Sequence, residues 1–240
     1  MSTDETFMDE EQVHDPAKDV QPAHGRQAKR LSQLLIGVAL AAVLAAVAVA
    51  AALLWPASST ASATPTQDSA DAGFARDMAI HHQQAVELSF IVRDRTADED
   101  VRRLAYDVIN TQANQRGMLL GWLDAWNLPK SSQQPPMSWM KHDMPGMEGM
   151  GYKPHDGSLM PGMATNTQMG QLRKAGGKQA EILYLRLLTA HHKGGIAMSR
   201  AAAGMAKTEQ VRRLARGMVD SQEAEMKLMA DMLRERGATA

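Results

Sequence analysis

The chain has 240 residues, with 26 Lys and Arg against 27 Asp and Glu, so a formal net charge of −1 leaves no global field to hold a polyanion and no nucleic-acid partner is expected. It contains no Cys, which excludes disulfides, thiolate zinc sites, iron–sulfur clusters and cysteine nucleophiles. Aromatic residues make up only 4% while Met reaches 18, a balance that points to a helical protein with a special use for thioethers.

Residues 1–30 crowd acidic side chains (Asp4, Glu5, Asp9, Glu10, Glu11, Asp15, Asp19) around Pro16 and Pro22 and show no periodic apolar face, so a disordered tail is expected. Arg26, Lys29 and Arg30 then precede an uncharged run, 31–55, that ends at Trp55. As a helix it rises about 1.5 Å per residue and crosses roughly 30 Å of hydrocarbon, so it reads as a transmembrane anchor. The next basic residue is Arg76. The positive-inside rule therefore places the tail in the cytoplasm and everything after residue 56 outside the cell membrane. A cleaved signal peptide cut near Ala61-Ser62-Ala63 is the alternative, and it exports the same remainder. Residues 56–70, rich in Pro, Ser, Thr and Ala, read as a linker.

From Asp71 a helical pattern begins, and the chain repeats itself at a constant offset of 110 residues. FARDMAIHHQQAVELS (74–89) matches YLRLLTAHHKGGIAMS (184–199), and the segments starting at 101 and 211 both open VRRLA. Each copy carries apolar residues at 3–4 spacing on two successive helices, with Asp98 placed to cap one helix and Gly237 to end another. The expected domain, 71–236, is an all-α, ferritin-like four-helix bundle built from two duplicated αα-hairpins and preceded by the single transmembrane helix.

Polar groups interrupt these stripes. His81 and His191 fall on them, His82 and His192 lie about 100° round the helix, and Gln112, Gln115, Gln222 and Glu225 break the stripes of the second helices. Buried polar groups need partners, so either a closed hydrogen-bond network or a metal explains them. Asp77 and Met78, each four residues before one of the first two histidines, and Met198, seven after His191, bring a carboxylate and thioethers to the same faces. Imidazole with thioether suits copper better than magnesium or calcium. Leu187 stands where the second copy would carry an Asp, so the two halves are not equivalent sites.

Between the hairpins, 127–175 is a Pro/Gly-broken connection holding Met137, Met140, Met144, Met147, Met150, Met160, Met163 and Met169, with His142 and His155. MPGM occurs twice, at 144–147 and 160–163. Met on a helix is ordinary packing, but in such a loop thioethers are expected to be exposed and to act as soft donors. A thioether is neutral, is not lost by protonation, and prefers Cu(I) or Ag(I) to hard cations; beyond the cytoplasm it replaces oxidisable thiols. An adhesive surface for a partner is the competing reading.

The helical segments contain no Glu-x-x-His pair for di-iron chemistry, and neither a GxSxG elbow nor a phosphate loop is present, so no catalytic constellation and no enzyme activity are expected. RDMAIHHQQAVELS, MPGMATNTQMGQLRKA and LTAHHKGGIAMS, with the VRRLA segments, resemble the ferritin-like "domain of unknown function 305" family over about residues 71–236. That resemblance implies an exported helical bundle, some of whose relatives are Met- and His-rich copper binders tied to copper tolerance. By motif it implies roles for His81, His82, His191, His192, Met144, Met147, Met160 and Met163. The insertion at 127–159 and the acidic tail go beyond the family pattern. The expected function is binding or buffering of copper, preferably Cu(I) with Ag(I) as its mimic, with an envelope copper-handling protein as partner. The rivals are a metal-free envelope interaction module with a structural His–Gln layer, and a metal-dependent oxidase or reductase.

Overall fold

The computed structural model describes residues 47, 64–140 and 152–239, and the five helices described below fall in the unit spanning residues 61–240. The expected cytoplasmic tail (1–30), the transmembrane anchor (31–55) apart from Val47, and most of the linker lie outside the described residues, as do His142, Met144, Met147 and Met150. Among the described residues no helix is long and apolar enough to cross a membrane.

Five helices and no strand make up the described fold: α1 (Ala70–Arg93), α2 (Glu99–Ala125), α3 (Asn166–Lys174), α4 (Gly177–Met205) and α5 (Glu209–Glu235). Their ends follow local chemistry. Ser69 caps α1 by accepting from the Ala72 N–H at 3.2 Å, and Asp98 caps α2 by accepting from Val101 at 3.0 Å. α2 and α5 end alike: Asn127 (φ 54°) and Gly237 (φ 68°) turn left-handed, and the next N–H reaches back to Leu123 or Leu233. α3 is an addition to the sequence reading, which left 166–174 in an irregular connection. A capping box between Thr165 and Gln168 starts it, and Arg173 and Lys174 favour its last turn.

α1 pairs with α2 and α4 with α5, and the two pairs meet chiefly through α1 and α4. The core is two apolar clusters stacked along the helices. One gathers Ala85, Leu88 and Val92 of α1 with Val101, Leu104 and Val108, Tyr184, Leu185 and Leu188, and Met229 and Leu233. The other gathers Phe74, Met78, Leu119, Leu123, Met198, Val211 and Met218, with Trp139, Met140 and Met160 from the connection.

Buried ionic contacts close both ends. At one, Asp71 accepts from the backbone N–H of Lys207 and Thr208, each at 2.9 Å, and from the Thr208 hydroxyl at 2.6 Å, tying the start of α1 to the start of α5. At the other, Arg236 bonds Glu181 at 2.7 Å and Asp98 at 2.8 Å, and the Thr96 hydroxyl donates to Glu181 at 2.6 Å. Asp71→Ala leaves two backbone donors of a helix start without their acceptor. Urea unfolding is expected to show a loss of about 2–3 kcal/mol; a loss below about 0.5 kcal/mol, the range of an uninvolved surface change, would mean that the clamp holds nothing.

Candidate metal centre

The interruption between the two apolar clusters occurs at the same level on all four long helices. On α1 it is His81 and His82, on α2 Gln112 and Gln115, on α4 His191 and His192, and on α5 Gln222 and Glu225. All four imidazoles are fully buried, and Gln112 and Gln222 nearly so. The His81 and His191 rings face each other across the α1–α4 contact with centroids 3.7 Å apart and planes 36° from parallel.

Hydrogen bonds orient three of the rings. Nε2 of His191 lies 2.9 Å from the His81 carbonyl oxygen, Nε2 of His82 lies 2.8 Å from Gln115 Oε1, and Nε2 of His192 lies 2.5 Å from Glu225 Oε2. Each partner atom can only accept, so Nε2 carries the proton and Nδ1 carries the lone pair. The Nδ1 atoms of His81, His82, His191 and His192 have no protein partner, nor do Nε2 of His81, both amide atoms of Gln112 or Oε1 of Gln222. Burial makes His81, His82 and His191 neutral. It is the largest cause that pushes His81 and His82 down to about 3, and it holds His191 well below 6.5, with neighbouring imidazoles adding to the effect. Neutral, deprotonated Nδ1 atoms are what a soft cation needs from histidine.

Thioethers adjoin this layer. Met78, Met160, Met198 and Met218 are all fully or almost fully buried in the cluster next to it. Met160 arrives from the connection through the second MPGM. Met160-Pro161-Gly162-Met163 is a β-turn closed by the Met163 N–H on the Met160 carbonyl, with Gly162 at φ 83°. The turn lies on α4 so closely that a Cβ on Gly194 would collide with the Pro161 carbonyl oxygen. Gln84 holds the adjoining Ala164 by two reciprocal bonds, 2.9 and 2.6 Å. The next glycine of HHKGG, Gly195, makes room for Gln222, whose Oε1 would stand 2.6 Å from an added Cβ.

The four histidines singled out by sequence thus come together, with Met78, Met198 and Met160 adjoining and Met163 half-buried at the turn. Asp77 does something else: its Oδ2 accepts from the Met137 N–H at 2.7 Å and from Trp139 Nε1 at 2.8 Å, pinning the start of the connection to α1. Met140, Met160 and Met169 are buried, so the expectation of thioethers exposed along the connection is corrected: the described part of that segment folds back and packs. Among the described residues no three His, Asp or Glu side chains form a group that could hold a metal ion. Sequence reasoning passed over Gln84, Gly194 and Gly195. The mismatch between HHQQA and HHKGG at matched positions was the available signal.

Paired helical hairpins closed over a buried histidine layer define a class of small all-helical proteins. Residues 71–233 match the family model "Domain of unknown function (DUF305)", and the chain belongs to the DUF305 family. A DUF305 protein from Streptomyces coelicolor is 57% identical, with 72% of this chain and 98% of that one covered and a TM-score of 0.64. A DUF305 fragment from Deinococcus radiodurans is 27% identical, covering 69% and 96%, with a TM-score of 0.54. CopM in a Cu(I)-bound form shares the fold at 17% identity, 69% and 96% coverage and a TM-score of 0.52. No curated protein matches the chain.

Two outcomes follow from this geometry. The unfolded chain leaves His81, His82 and His191 near 6.5 while the folded chain holds them lower, so below that pH the unfolded state binds more protons. Stability is complete above pH 6.5 and is lost as pH falls, by about 1.4 kcal/mol per pH unit for each ring. Urea unfolding of metal-free protein from pH 7 to pH 5 is expected to show this slope, reduced by about one proton in His82→Gln; a flat profile contradicts neutral burial. Gly194→Ala is expected to cost about 1–3 kcal/mol by forcing the 160–163 turn off α4, read as a lowered unfolding midpoint and new proteolytic cleavage near Gly162.

Proposed function

We propose that this protein is a membrane-tethered, extracytoplasmic copper-binding protein that holds and buffers Cu(I) without chemical turnover. One observation carries the reading: four buried imidazoles, three of them held neutral by burial, share one layer with their Nδ1 atoms unpartnered, beside a cluster containing five buried thioethers. Leaving that many polar atoms dry and unpaired costs about 1–3 kcal/mol each, so the layer is suited to an occupant that accepts lone pairs. CopM, which shares the fold, has been solved with Cu(I), Cu(II) and Ag bound. In this proposal His81, His82, His191 and His192 supply nitrogen, and Met78, Met160 and Met198 supply sulfur or exclude water. Met144, Met147, Met163 and His142 capture the ion first. Asp77 serves by positioning the connection. The anchor at 31–55 keeps the domain outside the cell membrane, where an envelope copper-handling protein would deliver or receive the ion.

A second reading rests on the three Nε2 hydrogen bonds and the packed methionines, which suit a metal-free interaction module with a structural His–Gln layer. Titration of the full chain in detergent with Cu(I) and Ag(I), against a competing chelator, separates the two. Uptake is expected, and His82→Gln with His192→Gln is expected to weaken it at least about tenfold, roughly 1.4 kcal/mol or more, while circular dichroism stays helical. Full-length protein that retains neither ion leaves the metal-free module.

A further inference from the structure

The two arms of the layer are alike in geometry and differ in charge. His82 donates to Gln115 and His192 donates to Glu225, each pair spanning 33 residues from the inner helix of a hairpin to its outer helix. Gln115 and Glu225 are both half-buried, one side toward an imidazole and the other toward solvent. The other buried carboxylates are engaged elsewhere: Asp71 at the start of α5, Asp77 at Trp139, and Glu181 with Arg236. Among the described residues, Glu225 is the only carboxylate hydrogen-bonded to any of the four histidines.

A cation taken into a dry layer loses its hydration, and neutral imidazoles, amides and thioethers replace the ligands without replacing the charge. The compensation must come from a nearby anion, and its amount decides which cation is held best. Resting on the metal reading above, we propose that Glu225 sets the charge of the ion: with one carboxylate at the layer, the site is matched to a monovalent soft cation, and Gln115 at the corresponding place keeps it from being matched to a divalent one. Glu225 is a positioning residue. It fixes His192 with the proton on Nε2 and strengthens Nδ1 as a donor, while Gln115 gives His82 the same orientation without the charge.

Ag(I) and Zn(II) test this, since both are closed-shell and neither changes oxidation state. The full chain in detergent is titrated with each ion, with the ring ¹⁵N resonances of His82 and His192 as the readout of the layer, for wild type, Glu225→Gln, Gln115→Glu and the double exchange. Glu225→Gln, which copies the existing Gln115 arm, is expected to weaken Ag(I) about tenfold. Gln115→Glu is expected to raise Zn(II) affinity relative to Ag(I) by about tenfold, and the double exchange to bring the ratio back to within about threefold of wild type. Circular dichroism checks that each variant folds, and the double exchange separates charge from position. An Ag(I)-to-Zn(II) ratio that Gln115→Glu leaves unmoved, or an Ag(I) affinity indifferent to Glu225→Gln, overturns the charge assignment and leaves the metal reading standing. Wild-type His82 and His192 resonances that respond to neither ion remove the metal reading itself.

Discussion

At mid-helix the contact between α1 and α4 is made by imidazoles rather than by aliphatic side chains, and much of the rest follows from that choice. Two facing rings at 3.7 Å fill the space a pair of leucines would fill, but they bring four nitrogens that water cannot reach. One bond, from His191 to the His81 carbonyl, settles part of the cost and fixes the register of one inner helix on the other. The outer helices then have to present an acceptor at the right level, which is why Gln115 and Glu225 stand where an apolar stripe would otherwise continue. A sliding movement of any helix by one turn would strand a buried imidazole, so the polar layer specifies the arrangement while the apolar clusters on either side supply most of the driving force.

Methionine packs the core here, and the copper-binding proposal gives the same thioethers a second use. Met78, Met160, Met198 and Met218 pack against Phe74, Leu119 and Leu123 as flexible apolar side chains, and Met218 accepts a weak bond from the Ser199 hydroxyl. The same sulfur atoms are soft donors within the cluster that borders the imidazoles. A thioether can do both because it is neutral: it needs no counter-charge while it packs, and no proton competes for it when a metal arrives.

Much of this was legible in the sequence because it is local and periodic. The stripes at 3–4 spacing, the cap at Asp98, the left-handed stop at Gly237 and the polar breaks at 81, 112, 191 and 222 all stand where the periodicity puts them. What escaped is long-range. Pro and Gly announced that 127–175 breaks helices, but not that Trp139 would find Asp77, 62 residues away, or that Met160 would enter the core, since both contacts are remote in sequence. Asp77 shows the limit well: its spacing from His81 suited a ligand, and only the folded connection shows that Met137 and Trp139 take the carboxylate. α3 was missed because its nine residues lie beyond a Gly-rich turn, where the capping box was the only local sign.

The differences between matched positions tell more about function than the identities do. VRRLA recurs because both outer helices need the same inward face, which is a packing requirement. At 84 and 194, however, one side has Gln and the other Gly, and each serves the same turn from opposite sides: Gln84 grips Ala164 while Gly194 yields space to Pro161. At 115 and 225 the shape is kept and only a charge changes. An amide satisfies the imidazole at the same place on α2, so the second difference is one of charge rather than of hydrogen-bond geometry. A carboxylate at one arm alone puts a negative charge beside His192, while burial holds His81 and His82 neutral. The asymmetry of the pair is therefore a difference of charge at one level of the bundle, and the charge assignment proposed for Glu225 rests on it.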